Sequence, residues 1–162
     1  MAEFERLGAA TVSLDDIALS QAQPGRDGYR AILRAFGRNV VLNHDPKSKN
    51  ETIDRRLLGE MVFNDKTARL KLEKATHPLI LREMKRLVGE MNGVVVVDVP
   101  LLFEKNLQNR FDATLLISCR PDQQIRRIVR RDGLALAEAR RRLKAQWSLA
   151  KKRTLADVVI DA

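Results

Sequence analysis

Apolar residues fall into two kinds of run along the chain, and the two kinds predict different elements. Four short runs lack polar alternation, which is typical of parallel strands buried on both faces: residues 10–14, 94–98, 113–118 and 155–162. Between them, apolar positions recur three and four residues apart, which predicts amphipathic helices. Strands that alternate with helical segments predict an α/β layered fold with a parallel sheet.

Turn residues set the predicted ends of the helices. His77-Pro78 predicts a break or kink, because proline lacks the N–H that a helix interior uses. Asp132-Gly133 predicts a turn between the last two helices, and the polar stretch 43–52 predicts a loop. The predicted helices are 2–7, 16–22, 27–36, a segment ending at Phe63, 65–76, 79–91, 122–131 and 135–147.

Positive charge is concentrated in one segment, residues 120–153. Twelve Lys and Arg stand there against three Asp and Glu, so this segment accounts for the whole net charge of +9. A solvated helix face is the simplest interpretation of a charge run, but the acidic partners are too few for a ladder of i,i+4 ion pairs. The segment therefore favours an anionic partner, either a polyphosphate ligand or a nucleic-acid backbone.

Length and composition narrow the class of protein. A chain of 162 residues predicts one domain. No apolar run reaches the roughly 18 residues of a membrane span, and the first residues lack the basic and apolar regions of a signal peptide. A single cysteine, Cys119, forms no internal disulfide, which fits a reducing compartment. We therefore predict a cytoplasmic protein without a membrane partner, and leave an organelle open.

Two acidic residues follow predicted strands, at the edge where parallel α/β sheets bind ligands. Asp15 comes after the strand ATVSL, and Asp98 ends the valine strand. Either acid would also serve as a helix cap or turn former, and for Asp15 the spacing favours neither interpretation. The functional interpretation is a general base for a substrate hydroxyl at Asp15 and a carboxylate near Mg²⁺ at Asp98.

Several short motifs occur together in the order and spacing of one family. They are PG at 24–25, AFG at 35–37, VFND at 62–65, HPLI at 77–80, DVPLLFE at 98–104, RRIVRRDGL at 126–134 and the closing ADVVID. With these motifs the whole chain resembles the dephospho-CoA kinases. The resemblance implies a P-loop NTPase-like parallel sheet with helices on both faces. It also implies a single domain over 1–162, with a helical substrate lobe at about 16–91 and a basic lid at about 120–153.

The resemblance further implies a reaction and its residues. ATP, with Mg²⁺, would phosphorylate the ribose 3′-hydroxyl of dephospho-CoA, and no nucleic-acid partner is expected. The acid pair Asp-x-Asp of the family corresponds here to Ser13-Leu14-Asp15, which leaves Asp15 as the base. The other implied residues are His77 and Arg82 for the substrate, Arg127, Arg131 and Arg142 for the nucleotide, with Arg127 also catalytic, and Asp98 for the metal.

One departure from the family is large. The sequence contains no Gly-rich loop of the form G-x-x-x-x-G-K-[ST], the phosphate cradle of P-loop kinases. We therefore expect an N-terminally truncated chain that lacks the first, central strand and leaves two inner strand edges unpaired. The residues present would require no cofactor of their own, and kinase activity of the chain alone would be low. The alternatives are a CoA-binding pseudokinase and, less favoured, a basic nucleic-acid-binding protein.

Overall fold

A computed structural model describes residues 1–42 and 51–162, so most of the predicted loop 43–52 lies outside the described residues. The described chain divides into two compact units, Met1–Val99 and Pro100–Ala162. Both contain parallel strands and helices, which confirms the α/β prediction. None of the described helices combines the length and the apolar character that crossing a membrane requires.

The first unit is mostly helical. Its helices and strands, in chain order, are α1 (Ala2–Arg6), β1 (Ala10–Ser13), α2 (Leu14–Gln21), α3 (Asp27–Phe36), β2 (Val41–Leu42), β3 (Thr52–Ile53), α4 (Arg55–Asn64), α5 (Lys66–Gly89) and β4 (Val95–Asp98). The short antiparallel pair β2–β3 was not predicted from the sequence. The core of this unit lies between α3, α4 and β3 and consists of Tyr29, Ile32, Val40, Ile53 and Leu58.

One prediction about the helices of this unit is wrong. The sequence predicted a break or a kink at His77-Pro78, and the break is absent because α5 runs through both residues. Proline removes one hydrogen bond from a helix interior at a cost of about 3 kcal/mol. In a helix of 24 residues that packs against α2, α3 and α4, tertiary contacts offset this local cost.

The strands β1 and β4 form a parallel pair. Their register places Ala10 beside Val95 and Ser13 beside Asp98, so both strands end at the same level. The sheet consists of these two strands alone in the described part of the chain, and β4 is therefore an edge strand. The register brings the two predicted strand-end acids to one edge.

The second unit contains the other parallel pair and the basic helices. Its elements are β5 (Leu115–Ser118), α6 (Pro121–Asp132), α7 (Leu136–Lys144), α8 (Leu149–Arg153) and β6 (Val158–Asp161), and β5 pairs with β6. Gly133 ends α6 at a φ of 65°, a left-handed conformation that glycine adopts without strain, which confirms the predicted turn.

The predicted helix 135–147 is too long. α7 ends at Lys144, and a separate helix, α8, follows after Ser148. The backbone N–H of Trp147 donates to a side chain, Glu104 Oε1, instead of to a helix carbonyl. The Ser148 hydroxyl then caps α8 by accepting from the N–H of Lys151. A long-range contact and a local cap therefore divide one predicted helix into two.

The strands are less buried in the described residues than their apolar composition predicted. Val95, Val96 and Val97 are half-buried, and the outward residues of β5 and β6 are more open, with Ile117 57% and Val158 51% exposed. A two-stranded pair covers little of its own surface, because only neighbouring strands and packed helices remove strand faces from water. Apolar composition without alternation therefore predicted the strands but overestimated their burial.

We expect Gly28→Ala to lower the free energy of unfolding by about 1–3 kcal/mol, the range for overpacking a tight contact. A Cβ at position 28 would stand 2.6 Å from the carbonyl oxygen of Gln21, where α3 meets α2. Gly59 in α4 is the matched control, because a Cβ there meets no atom within 4 Å. Gly59→Ala should raise stability slightly. Urea unfolding measures both, and equal effects at the two positions would contradict this account.

Candidate active site

Two carboxylates stand at the carboxyl edge of the β1–β4 pair. Asp98 is the last residue of β4, and its register partner Ser13 is the last residue of β1. Asp15 follows two residues later, in the first turn of α2. Neighbouring strands lie about 4.8 Å apart, so the two acids share one small region. Both side chains are exposed.

The cap of α2 is Ser13 and not Asp15. The Ser13 hydroxyl accepts the backbone N–H of Asp16 at 3.2 Å, which satisfies the exposed end of the helix. This contact removes the capping interpretation of Asp15. No hydrogen bond or ion pair holds the carboxylate of Asp15 or that of Asp98 within the described residues. Both are therefore available to a ligand from solvent.

The strand-end carboxylates fit a Mg²⁺ site shared with phosphates. Mg²⁺ prefers oxygen ligands and is commonly held by one or two carboxylates, waters and substrate phosphates. Residues 1–42 and 51–162 contain no cluster of three or more metal-ligating side chains, so a metal cage made of protein alone is not built there.

The two residues predicted for the substrate lie on α5. His77 is half-buried and Arg82 is exposed. Five positions along a helix turn the chain by about 140° around the axis, so the two side chains leave α5 on different faces. Arg82 Nη2 contacts Asp27 Oδ2 at 2.9 Å, across from α5 to α3. The helix therefore does not bring His77 and Arg82 together.

The arginines of the basic helices are not equivalent. Asp132 accepts Arg131 Nε at 2.7 Å and Arg142 Nη1 at 3.4 Å, which joins α6 to α7. The hydrogen bond from Arg131 lowers the pKa of Asp132 most strongly, with a smaller contribution from Arg142. Arg127 is exposed and makes no ion pair within the described residues. Its guanidinium is thus open to an anion, whereas Arg131 and Arg142 already share a carboxylate.

Sequence reasoning missed a buried ion pair in the second unit. Lys152 Nζ contacts Glu104 Oε1 at 2.8 Å, with side chains only 9% and 12% exposed, and the Trp147 N–H donates to the same oxygen at 3.0 Å. Burial raises the pKa of Glu104, but the hydrogen bonds from Lys152 and the backbone outweigh it and leave the pKa lowered. The only signal in the sequence was the position of Glu104 at the end of DVPLLFE.

Two further contacts hold the β5–β6 pair. Asp157 accepts both the backbone N–H and the hydroxyl of Thr114 at 2.7 Å, and these bonds lower the pKa of Asp157. At the other end, Arg153 Nη1 donates to Asp161 at 2.6 Å and to the Ser118 hydroxyl at 3.1 Å. The contacts of Thr114 with Asp157 and of Ser118 with Arg153 join residues 43 and 35 positions apart, so no local pattern indicates them.

Parallel strand pairs, flanking helices and carboxylates at a strand edge define an α/β protein with a candidate ligand site at the carboxyl ends of its strands. A comparison with family models gives a narrower result, because the model described as dephospho-CoA kinase matches residues 1–162. The chain belongs to the dephospho-CoA kinase family.

Individual relatives agree with the family match. A dephospho-CoA kinase from Geobacillus kaustophilus is 38% identical over 164 residues, which cover 99% of this chain and 79% of that protein. One from Geobacter sulfurreducens is 36% identical over 162 residues, which cover 98% of this chain and 79% of that protein. Among solved structures, TT1252 from Thermus thermophilus has a TM-score of 0.84 at 27% identity, and the match covers 99% of this chain and 79% of that one. A dephospho-CoA kinase from Campylobacter jejuni has a TM-score of 0.62 at 30% identity, and the match covers 98% of this chain and 78% of that one.

Proposed function

We propose that this protein serves the last step of coenzyme A synthesis, in which ATP phosphorylates the ribose 3′-hydroxyl of dephospho-CoA. Membership of the dephospho-CoA kinase family supports the kinase class and the substrates. The observation that carries the assignment to residues is the pair of open carboxylates, Asp15 and Asp98, at the edge of β1–β4. Carboxylates at this edge suit an attacking hydroxyl and a metal-bound phosphate.

Asp15 is the proposed general base. Its carboxylate has no internal partner in the described residues, so it is free to accept the proton of the 3′-hydroxyl as that oxygen attacks phosphorus. Asp98 is the proposed ligand of Mg²⁺ or of its water shell, which offsets the negative charge of the ATP phosphates. The base and the metal ligand thus lie on adjacent strand ends of one parallel pair.

The lid contributes positive charge. Arg127 is proposed to stabilise charge on the transferring phosphoryl group, because it is exposed and carries no competing ion pair within the described residues. Arg131 and Arg142 are proposed nucleotide-binding residues whose orientation is set by Asp132. Pairing with an acid fixes these two side chains and reduces the entropy lost on binding a phosphate.

His77 and Arg82 are the proposed substrate-binding residues of the helical substrate lobe. They leave α5 on different faces, so they contact different parts of the substrate. Arg82 is exposed and cationic, and it suits an anionic group. His77 is half-buried and makes an interaction within the protein, which suits a positioning role on the protein side of the pocket.

The 162-residue chain by itself is proposed to bind dephospho-CoA and to turn over ATP slowly or not at all. These residues include no Gly-rich phosphate cradle, no phosphate lysine and no Mg²⁺-binding hydroxyl of the P-loop type. Titration calorimetry with dephospho-CoA and with ATP·Mg²⁺, together with a coupled kinase assay, tests both statements. We expect saturable binding of dephospho-CoA and a rate far below that of the same chain joined to a P-loop segment.

Adenosine 3′-phosphate is the control ligand for this experiment, because its 3′-hydroxyl is already phosphorylated and it lacks the diphosphate. Failure of dephospho-CoA to bind would contradict the proposed substrate. Turnover by the 162 residues at the rate of the P-loop-bearing form would contradict the proposed need for the phosphate cradle. A CoA-binding pseudokinase is favoured only if binding is retained and the P-loop-bearing form is also inactive.

A further inference from the structure

A polar concavity of about 230 Å³ lies in the first unit, away from the strand-end carboxylates. It opens between the turn that follows α2, the start of α3 and the middle of α5. At about 30 Å³ for each water molecule in the liquid, it has room for a group larger than one phosphate. Its chemistry comes from Arg26, Arg30 and Arg82, with Asp27 and Glu83 as the acids.

The charges of this concavity do not cancel. Arg86 contacts both carboxylate oxygens of Glu83 at 2.9 and 3.0 Å, but it also contacts Glu90 Oε1 at 2.5 Å, so it offsets only part of the charge of Glu83. Three arginines of the concavity therefore face two acids, Asp27 and Glu83, and the cluster retains a net positive charge. Arg26 makes no salt bridge within the described residues, although it is near enough to contribute to the lowered pKa of Glu83.

Two of the three guanidinium groups are held in place. Arg30 Nη2 contacts Asp27 Oδ1 at 2.5 Å and its Nη1 donates to the Gly25 carbonyl at 3.0 Å. Arg82 Nη2 contacts the other oxygen, Asp27 Oδ2, at 2.9 Å. One carboxylate therefore aligns two cations from α3 and α5, and the remaining N–H groups of each are open to a ligand. Arginine groups fixed in this way suit an anion with several oxygens.

We propose that Arg26, Arg30 and Arg82 form a subsite for a diphosphate group, that of dephospho-CoA. A diphosphate diester carries two negative charges at neutral pH, and the net positive charge of the cluster favours such an anion. Gln21 lines the concavity at the end of α2, and Asp15 lies in the first turn of the same helix. Gln21 stands six positions after Asp15, a rise of about 9 Å along α2, so a ribose at Asp15 and a 5′-diphosphate at the cluster fit along one helix.

The proposal rests on the proposed function for the identity of the substrate, but the diphosphate subsite is testable without it. Titration calorimetry of the full chain with inorganic diphosphate should show saturable binding. The double variant Arg30→Gln/Arg82→Gln should raise its Kd roughly ten-fold or more, because two charged donors are lost. The double variant Arg34→Gln/Arg69→Gln removes the same charge from the same two helices, outside the concavity, and should keep the wild-type Kd.

Binding measurements with dephospho-CoA and with adenosine show whether the subsite binds the diphosphate of the substrate or only free diphosphate. The double variant Arg30→Gln/Arg82→Gln should raise the Kd of dephospho-CoA by a similar factor. The Kd of adenosine, which has no diphosphate, should not change. Equal affinity of wild type and variant for dephospho-CoA would overturn the subsite and leave the proposed function standing. Diphosphate binding that depends on the cluster, without any binding of dephospho-CoA, would support the anion site and contradict the proposed function. Absence of binding by both ligands would overturn the subsite.

Discussion

Replacing Lys152 by methionine should lower the free energy of unfolding by about 3 kcal/mol, the scale for removing one partner of a buried ion pair. The variant leaves the Glu104 carboxylate almost fully buried with backbone donors, among them the N–H of Trp147, and no cation. Its second oxygen, Oε2, is already buried without a hydrogen-bond partner among the described residues. Domains of this size are stable by about 5–15 kcal/mol, so the loss is large.

Urea unfolding followed by circular dichroism measures the effect. Lys144→Met, at the exposed end of α7, removes the same charge where the lysine has no ion-pair partner within the described residues, and it should leave stability unchanged. The double variant Glu104→Gln/Lys152→Met should recover much of the loss, because a neutral amide still accepts from Trp147 and no charge remains buried. Equal destabilisation by Lys152→Met and by the double variant would contradict an ion-pair origin.

The pH dependence gives this prediction a second readout. The pKa of Glu104 lies below its ordinary 4.5 in the folded protein. The stability that Glu104 contributes is therefore complete above pH 4.5 and is lost as the pH falls through the lowered folded pKa. Without Lys152, burial would raise that pKa instead, and protonation would then favour the folded variant. The stability difference between wild type and Lys152→Met should shrink as the pH falls below 4.5.

Asp15→Asn should lower kcat by about 10²- to 10⁴-fold in a P-loop-bearing form of the protein, the range that general bases contribute. An amide keeps the size and polarity of the carboxylate but cannot accept the hydroxyl proton. Because Ser13 and not Asp15 caps α2, the substitution leaves the helix end intact. Dephospho-CoA should bind the variant almost as tightly as it binds wild type, so the loss should fall on kcat more than on KM.

Asp16→Asn is the matched control for Asp15→Asn. Asp16 is the next residue, is equally exposed and also lies in the first turn of α2, and only its backbone N–H is engaged by the cap. It should retain near-normal kcat. A loss of activity in Asp16→Asn with normal turnover in Asp15→Asn would show that Asp16, and not Asp15, is the general base. Rates that fall equally in both variants would indicate an electrostatic effect of the helix end.

Local sequence patterns were sufficient to predict where the strands lie and where α6 ends. The apolar runs located β1, β4, β5 and β6, and Gly133 ended α6 as predicted. Local patterns failed where a distant group competed with them. Trp147 donates to Glu104, 43 residues away in sequence, and the predicted helix 135–147 ends early for that reason. α5 passes through Pro78 because its packing against other helices outweighs one lost hydrogen bond.

The sequence by itself determined the family, the alternation of strands and helices and the acids at the strand ends, because each depends on residues adjacent in the chain or on motifs in a fixed order. Only the tertiary structure decided which charges are available. It paired Arg131 and Arg142 with Asp132, left Arg127 open and buried Lys152 against Glu104. It also placed Arg30 and Arg82 within hydrogen-bonding distance of the Asp27 carboxylate. Electrostatic availability depends on distance and burial in space, and a charge count along the chain contains neither.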